Sequence, residues 1–114
     1  MTILIVEDDA EMRRLIRSLV APAAGRLLEC SDGLQAVAAY EEHTPDWVLM
    51  DLKLPLLDGI EATKRIRRRF PEARIVMVTN YDGAELRAAA GDAGVFAYVS
   101  KQDLLCLPRL LRGL

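Results

Sequence analysis

Five short apolar runs alternate along the chain with stretches whose hydrophobic residues recur every three or four positions. The runs are Ile3–Val6, Arg26–Cys30, Trp47–Met50, Arg74–Val78 and Phe96–Val99. Several are continuously apolar, as parallel strands buried on both faces are. After the first run, Met12, Leu15, Ile16, Leu19 and Val20 predict the core side of a helix, with Arg13, Arg14 and Arg17 facing outward. Leu34, Val37 and Ala38 mark a second helix behind Ser31-Asp32-Gly33. Ala62, Ile66 and Phe70 mark a third, which Pro71 stops. Leu86, Ala89, Ala90 and Ala93 mark a fourth, with Gly94 placed to cap its C-terminus. A last helix carries Leu104, Leu107 and Leu111. Pro108 is harmless only in a first turn, so this helix starts late or bends. Strand–helix alternation five times over predicts an α/β fold with right-handed crossovers and an open, doubly wound sheet. In such sheets ligands sit at the carboxyl ends of the strands, near the point where strand order reverses.

Composition narrows the picture without redirecting it. A chain of 114 residues is the usual size of one domain, spanning 1–114, and long enough for a real core. It is 52% hydrophobic and 28% charged, as ordinary globular proteins are. A net charge of −2 marks no general surface for nucleic acid. Cys30 and Cys106 are too few for a disulfide framework and lack metal-site spacing. No apolar run approaches a membrane span, and the N-terminus does not have the pattern of a signal peptide. The expectation is a cytoplasmic, single-domain protein with no membrane or direct nucleic-acid partner.

The unusual polar residues lie where the fold class places ligands. The first strand ends in Glu7, Asp8 and Asp9, the third in Asp51, the fourth in Thr79 and the fifth in Lys101. Adjacent carboxylates resist ionising beside one another, so a positive charge belongs among them. The set suits phosphoryl chemistry. Mg²⁺ is a hard cation that takes one or two carboxylates, a phosphate oxygen and several waters. Asp8 and Asp51 are expected as direct ligands and Glu7 as a ligand through water. Asp51 can also act as a nucleophile and form an acyl phosphate. The metal and Lys101 would neutralise the phosphoryl oxygens, and Thr79 would donate a hydrogen bond to one of them.

These residues resemble a response-regulator receiver domain of two-component signalling, of the chemotaxis-regulator type, over essentially the whole chain. The matching motifs are "VEDD" (Val6 to Asp9), "DLKLPLLDG" (Asp51 to Gly59), "VTNYD" (Val78 to Asp82) and "AYVSK" (Ala97 to Lys101). The resemblance implies a five-stranded parallel sheet in the order 2-1-3-4-5, a flavodoxin-like three-layer sandwich. It implies that Glu7 and Asp8 are the acidic pair and that Asp51 is the phosphoacceptor. Thr79 and Tyr98 become the switch hydroxyl and switch aromatic, Lys101 the phosphate-sensing lysine, and the Lys53 carbonyl a third protein ligand to Mg²⁺. The phosphoryl donor would be a phosphohistidine of a sensor kinase or phosphotransfer protein. Such a domain is not an enzyme toward other substrates and catalyses only its own phosphorylation and dephosphorylation. The resemblance also admits a homodimer through the helix 4–strand 5–helix 5 face, which phosphorylation would alter.

Three features depart from the family's frequent pattern. Glu7 stands where the acidic pair often has aspartate, and a longer carboxylate still reaches a water on the metal. Gln102 follows Lys101, where many members have proline. Many receivers precede an output domain, whereas this sequence ends at Leu114 with a natural Met1, which favours a stand-alone receiver.

Rival functions fit less well. A flavin-phosphate site would want a Ser/Thr/Gly-rich loop where Glu7 to Asp9 repel phosphate. A dehalogenase-type phosphatase wants a second aspartate where Lys53 stands. A receiver-like interaction module working without phosphate would have no use for a complete phosphorylation set. Arg67-Arg68-Arg69 is expected to be the solvated C-terminal face of the third helix. His43 is expected at the surface between the second helix and third strand. Trp47 is expected in the core, about 13 Å along the strand from Asp51.

Overall fold

The computed structural model describes residues 1–113 and shows the alternating order expected. The elements are β1 (Thr2–Val6), α1 (Ala10–Val20), β2 (Arg26–Cys30), α2 (Gly33–His43), β3 (Trp47–Met50), α3 (Gly59–Arg69), β4 (Ile75–Thr79), α4 (Ala84–Ala93), β5 (Ala97–Ser100) and α5 (Leu107–Leu111). A 3-10 turn covers Ala21–Ala23, and a kinked 3-10 stretch, Lys101–Cys106, leads into α5. The five strands form one parallel sheet in the order β2-β1-β3-β4-β5. The sheet order is the one the receiver resemblance implies.

Alternation of side chains along each strand sends them into two cores. One holds Ile3, Ile5, Trp47, Leu49, Val76 and Val78 against Ile16 and Val20 of α1 and Leu107 and Leu111 of α5. The other holds Leu4, Val6, Val48, Met50 and Ile75 against Ala36 and Tyr40 of α2 and Ala62 and Ile66 of α3. Both faces are covered, so β1, β3 and β4 have no polar side and read as unbroken apolar runs. Trp47 is buried, as expected, with Arg74 stacked 4.2 Å above its ring and Phe96 packed edge-on at 5.0 Å.

Strands β4 and β5 each begin one residue later than predicted. Arg74 lies outside the core over Trp47, Phe96 is exposed, and pairing runs on to Thr79 opposite Ser100. The helical stripes also differ from the expectation in places. Leu15, Leu34 and Ala38 are exposed, and α2 buries Gly33, Ala36 and Tyr40, with the predicted Val37 packed partly buried against the same core. On α1, Arg13 is half-buried instead of outward, and on α3 Arg67 donates to the Ala73 carbonyl at 3.0 Å. His43 closes α2 itself instead of lying in the following loop. α5 does start late, with Pro108 in its first turn and Leu104 in the preceding 3-10 stretch.

The starts of α1, α2 and α3 are set by aspartates. Asp9, Asp32 and Asp58 accept from Glu11 N (3.0 Å), Gln35 N (2.7 Å) and Glu61 N (2.8 Å), satisfying donors that the first turn leaves free. Gly94 ends α4 at φ 97°, where a side chain would be strained. Gly59 admits the chain after β3: a Cβ there would overlap the Asp51 carbonyl oxygen, and its N–H donates to Leu52 O at 2.8 Å.

Candidate active site

β1 and β3 lie side by side at the centre of the sheet, so their ends bring Glu7 and Asp51 together. The Asp51 N–H donates to Val6 O at 3.1 Å, which locks the residue after β3 to the residue before Glu7. One carboxylate oxygen from each of Glu7, Asp8 and Asp51 lies within 4.8 Å of the others. Glu7 and Asp51 are buried, and Asp8 is exposed. Asp9, the third acid of the first run, is spent on the α1 cap instead of joining this cluster.

Lys101 enters from the end of β5, two strands away. Its ammonium lies 2.7 Å from Glu7 Oε1 and 2.9 Å from Asp51 Oδ2. Burial works against the Lys101 charge, but the contacts with Glu7 and Asp51 outweigh it and hold the ammonium above the ordinary lysine range. Burial pushes the Glu7 carboxyl up, only partly countered by Lys101 and by the Asp9 N–H. Asp51 is fixed at both oxygens, with Oδ1 accepting from Leu52 N at 2.7 Å and Oδ2 from Lys101.

The single ammonium of Lys101 thus faces two buried carboxylates, and Asp8 beside them brings a third that it does not contact. One positive charge among three carboxylates leaves the cluster short of cation, and clustered carboxylates resist ionising together unless more positive charge is supplied. Three hard oxygen donors whose charges one ammonium does not balance fit a small hard cation such as Mg²⁺.

The predicted switch pair lies on the opposite side of the same edge. Thr79 is fully buried at the end of β4, and its Oγ1 accepts from Tyr81 N at 3.3 Å. Tyr98 is half-buried on β5, and its hydroxyl donates to the Tyr81 carbonyl. Residue 81 is thus gripped by both. Arg87 lies 4.6 Å above the Tyr98 ring and pairs with Asp82. Lys53, two residues past Asp51, is exposed, with its ammonium 5.1 Å from the Tyr81 ring centroid. Every residue predicted for the site therefore lies at or beside one edge.

Sequence reasoning missed three contributors. Arg13 donates to the Glu7 carbonyl at 2.7 Å, Arg87 covers Tyr98, and Gly33 lets the β3–α3 loop pass over α2, where a Cβ would meet Leu57. Helical spacing could have put Arg13 on the face of Asp9, but nothing linear revealed the carbonyl it reaches.

A doubly wound parallel sheet with an acidic cluster and a lysine at its central carboxyl edge is the architecture of receiver folds. Residues 3–106 match the response regulator receiver domain family. A chemotaxis protein CheY of Halobacterium salinarum is 36% identical over 99 residues, covering 87% of this chain and 82% of its own. The CheY of Bacillus subtilis is 37% identical over 100 residues, covering 87% and 83%. Among solved structures, the receiver domain of a sensor histidine kinase from Pseudomonas aeruginosa, with magnesium in its active-site cleft, has 31% identity and a TM-score of 0.87. That match covers 98% of this chain and 94% of the other. The chain belongs to the response regulator receiver domain family of two-component signalling. Among the described residues, no helix is long and apolar enough to cross a membrane.

Proposed function

We propose that this domain accepts a phosphoryl group on Asp51 in a Mg²⁺-dependent transfer from a phosphohistidine of a sensor kinase or phosphotransfer protein. The observation that carries this is the cluster of Glu7, Asp8 and Asp51 carboxylates at one strand edge, with a single ammonium, that of Lys101, against two of them. Glu7, Asp8, Asp51 and the Lys53 carbonyl would hold the ion, Glu7 through water. A bound magnesium ion supplies positive charge to phosphoryl oxygens, which repel an approaching carboxylate when bare. A carboxylate oxygen of Asp51 attacks phosphorus, the donor's phosphorus–nitrogen bond breaks, and an acyl phosphate forms. Lys101, already against Asp51, moves onto a phosphoryl oxygen. The domain acts on no other substrate and governs only its own phosphorylation and dephosphorylation.

The Thr79 hydroxyl donates to a remaining phosphoryl oxygen. In turning, it releases Tyr81 N, and Tyr98, tied to the other side of residue 81, repacks. Phosphate thereby biases a two-position element that alters the α4–β5–α5 face. Ala88, Ala89 and Ala90 on α4 have side chains small enough to permit such movement.

Acetyl phosphate with Mg²⁺ should add one phosphoryl mass to the wild-type chain and none to Asp51→Asn. Equal labelling of the two proteins would refute the assignment. No labelling of wild type, with or without a kinase, would favour an interaction module that works without phosphate.

A further inference from the structure

The Glu7 carbonyl occupies an awkward place in the sheet. Its own N–H pairs with Cys30 O at 3.1 Å, the last bond between β1 and β2. The next donor on the β2 side is missing, because the chain has already turned into α2 behind its Asp32 cap. A half-buried carbonyl at the root of the acidic pair would be left without a partner.

Arg13 supplies it. From the first turn of α1, its Nη1 reaches back to donate to Glu7 O at 2.7 Å, while its Nε lies 3.2 Å from Glu29 Oε1. Glu29 extends from β2, and Arg17, one turn further along α1, takes its other oxygen. The planar guanidinium is suited to this because it presents fixed donors in two directions at once, which an ammonium does not. Glu29 also neutralises the Arg13 cation at the root of the acidic pair.

We propose that Arg13, held by Glu29, is a positioning residue that sets the Glu7–Asp8 backbone and thereby the cation affinity of the site. This rests on the magnesium reading of the acidic cluster. Charge alone predicts the opposite sign. Removing a cation from the neighbourhood of three carboxylates should tighten Mg²⁺ binding, whereas losing the anchor should loosen it.

The experiment is calorimetric titration of Mg²⁺ into wild type, Arg13→Ala, Arg13→Lys and Arg17→Ala, each checked for folding by circular dichroism. Arg13→Ala is expected to bind about tenfold more weakly, the lower end of what losing an outer support does to a metal site. Arg13→Lys, which keeps the charge but not the two-way fork, should fall between it and wild type. Arg17→Ala breaks an equivalent ion pair but spares the Glu7 bond, and should change affinity less than about twofold. Without metal, hydrogen exchange at the Asp9 amide, which donates to Glu7 Oε2 at 3.2 Å, should quicken in Arg13→Ala alone.

Unchanged or tighter Mg²⁺ binding in Arg13→Ala would overturn the proposal, as would an equal loss in Arg17→Ala. If Arg13→Ala does not fold, Arg13→Lys carries the test, and wild-type affinity in it overturns the proposal. Wild type that binds no Mg²⁺ would instead remove the magnesium reading itself, a distinguishable failure.

Discussion

Asp8 is expected to change the sign of its contribution to stability with the metal. In metal-free protein, Lys101 contacts Glu7 and Asp51, and Asp8 adds a third carboxylate whose oxygen lies within 4.8 Å of theirs. Two unit charges at that separation repel by about 3.5 kcal/mol at an effective dielectric of about 20. Asp8 is exposed, so solvent screening reduces its two repulsions to a combined effect of about 1 kcal/mol. Asp8→Asn should therefore stabilise the protein in chelator by about that amount, raising Tm by roughly 4 °C.

With Mg²⁺ at about 100 times the wild-type Kd, binding stabilises wild type by about 2.7 kcal/mol. Losing a direct charged ligand should weaken binding by about a hundredfold, the upper end of what outer-support losses cause. The variant then keeps only about 0.4 kcal/mol of metal stabilisation. The order reverses, and wild type leads by about 1 kcal/mol. Paired urea or thermal unfolding in chelator and in Mg²⁺ reads both halves. A variant less stable than wild type in chelator would refute the repulsion argument. An order indifferent to Mg²⁺ would show that Asp8 does not ligate it.

Three further outcomes are expected. The Glu7 carboxyl is raised by burial, so between its unfolded and folded values the native state binds more protons, and metal-free stability should fall as pH rises through that acidic window; Glu7→Gln should flatten that slope in unfolding measured across pH, while the Lys101 contribution is lost only at alkaline pH. Leu56 has φ 68° and is 77% exposed, so Leu56→Asn should stabilise by about 1 kcal/mol through relief of left-handed strain, and an unchanged denaturation midpoint would contradict this. Thr79→Ala should still be phosphorylated on Asp51, yet the chemical-shift changes that beryllofluoride produces in α4 and at Tyr98 should shrink; equal changes in both proteins would break the proposed link through residue 81.

The linear pattern of residues was enough to determine the alternating architecture and the edge where the chemistry gathers. Strands buried on both faces must be apolar throughout, so β1, β3 and β4 announce themselves without alternation. Polar residues that end such strands have one place to go, which is why Glu7, Asp8, Asp51, Thr79 and Lys101 could be named together. The sheet order needed the receiver resemblance, because periodicity carries no record of which strands are neighbours.

Other features depended on distances between remote parts of the chain. Leu15 and Leu34 fall on predicted apolar stripes yet lie exposed, because α1 turns Ile16 and Val20 to the sheet and α2 turns Gly33, Ala36 and Tyr40, faces that local spacing does not single out. Asp9 is indistinguishable from its neighbours in sequence, and only the start of α1 assigns it to a cap and Asp8 to the site. Arg13 is one arginine among several on α1 until the fold sets the Glu7 carbonyl on one side of it and Glu29 on the other. Hydrophobic periodicity is local and repeats within a few residues, whereas a charge contact or a hydrogen bond between remote residues exists only when the tertiary structure brings them within about 3 Å.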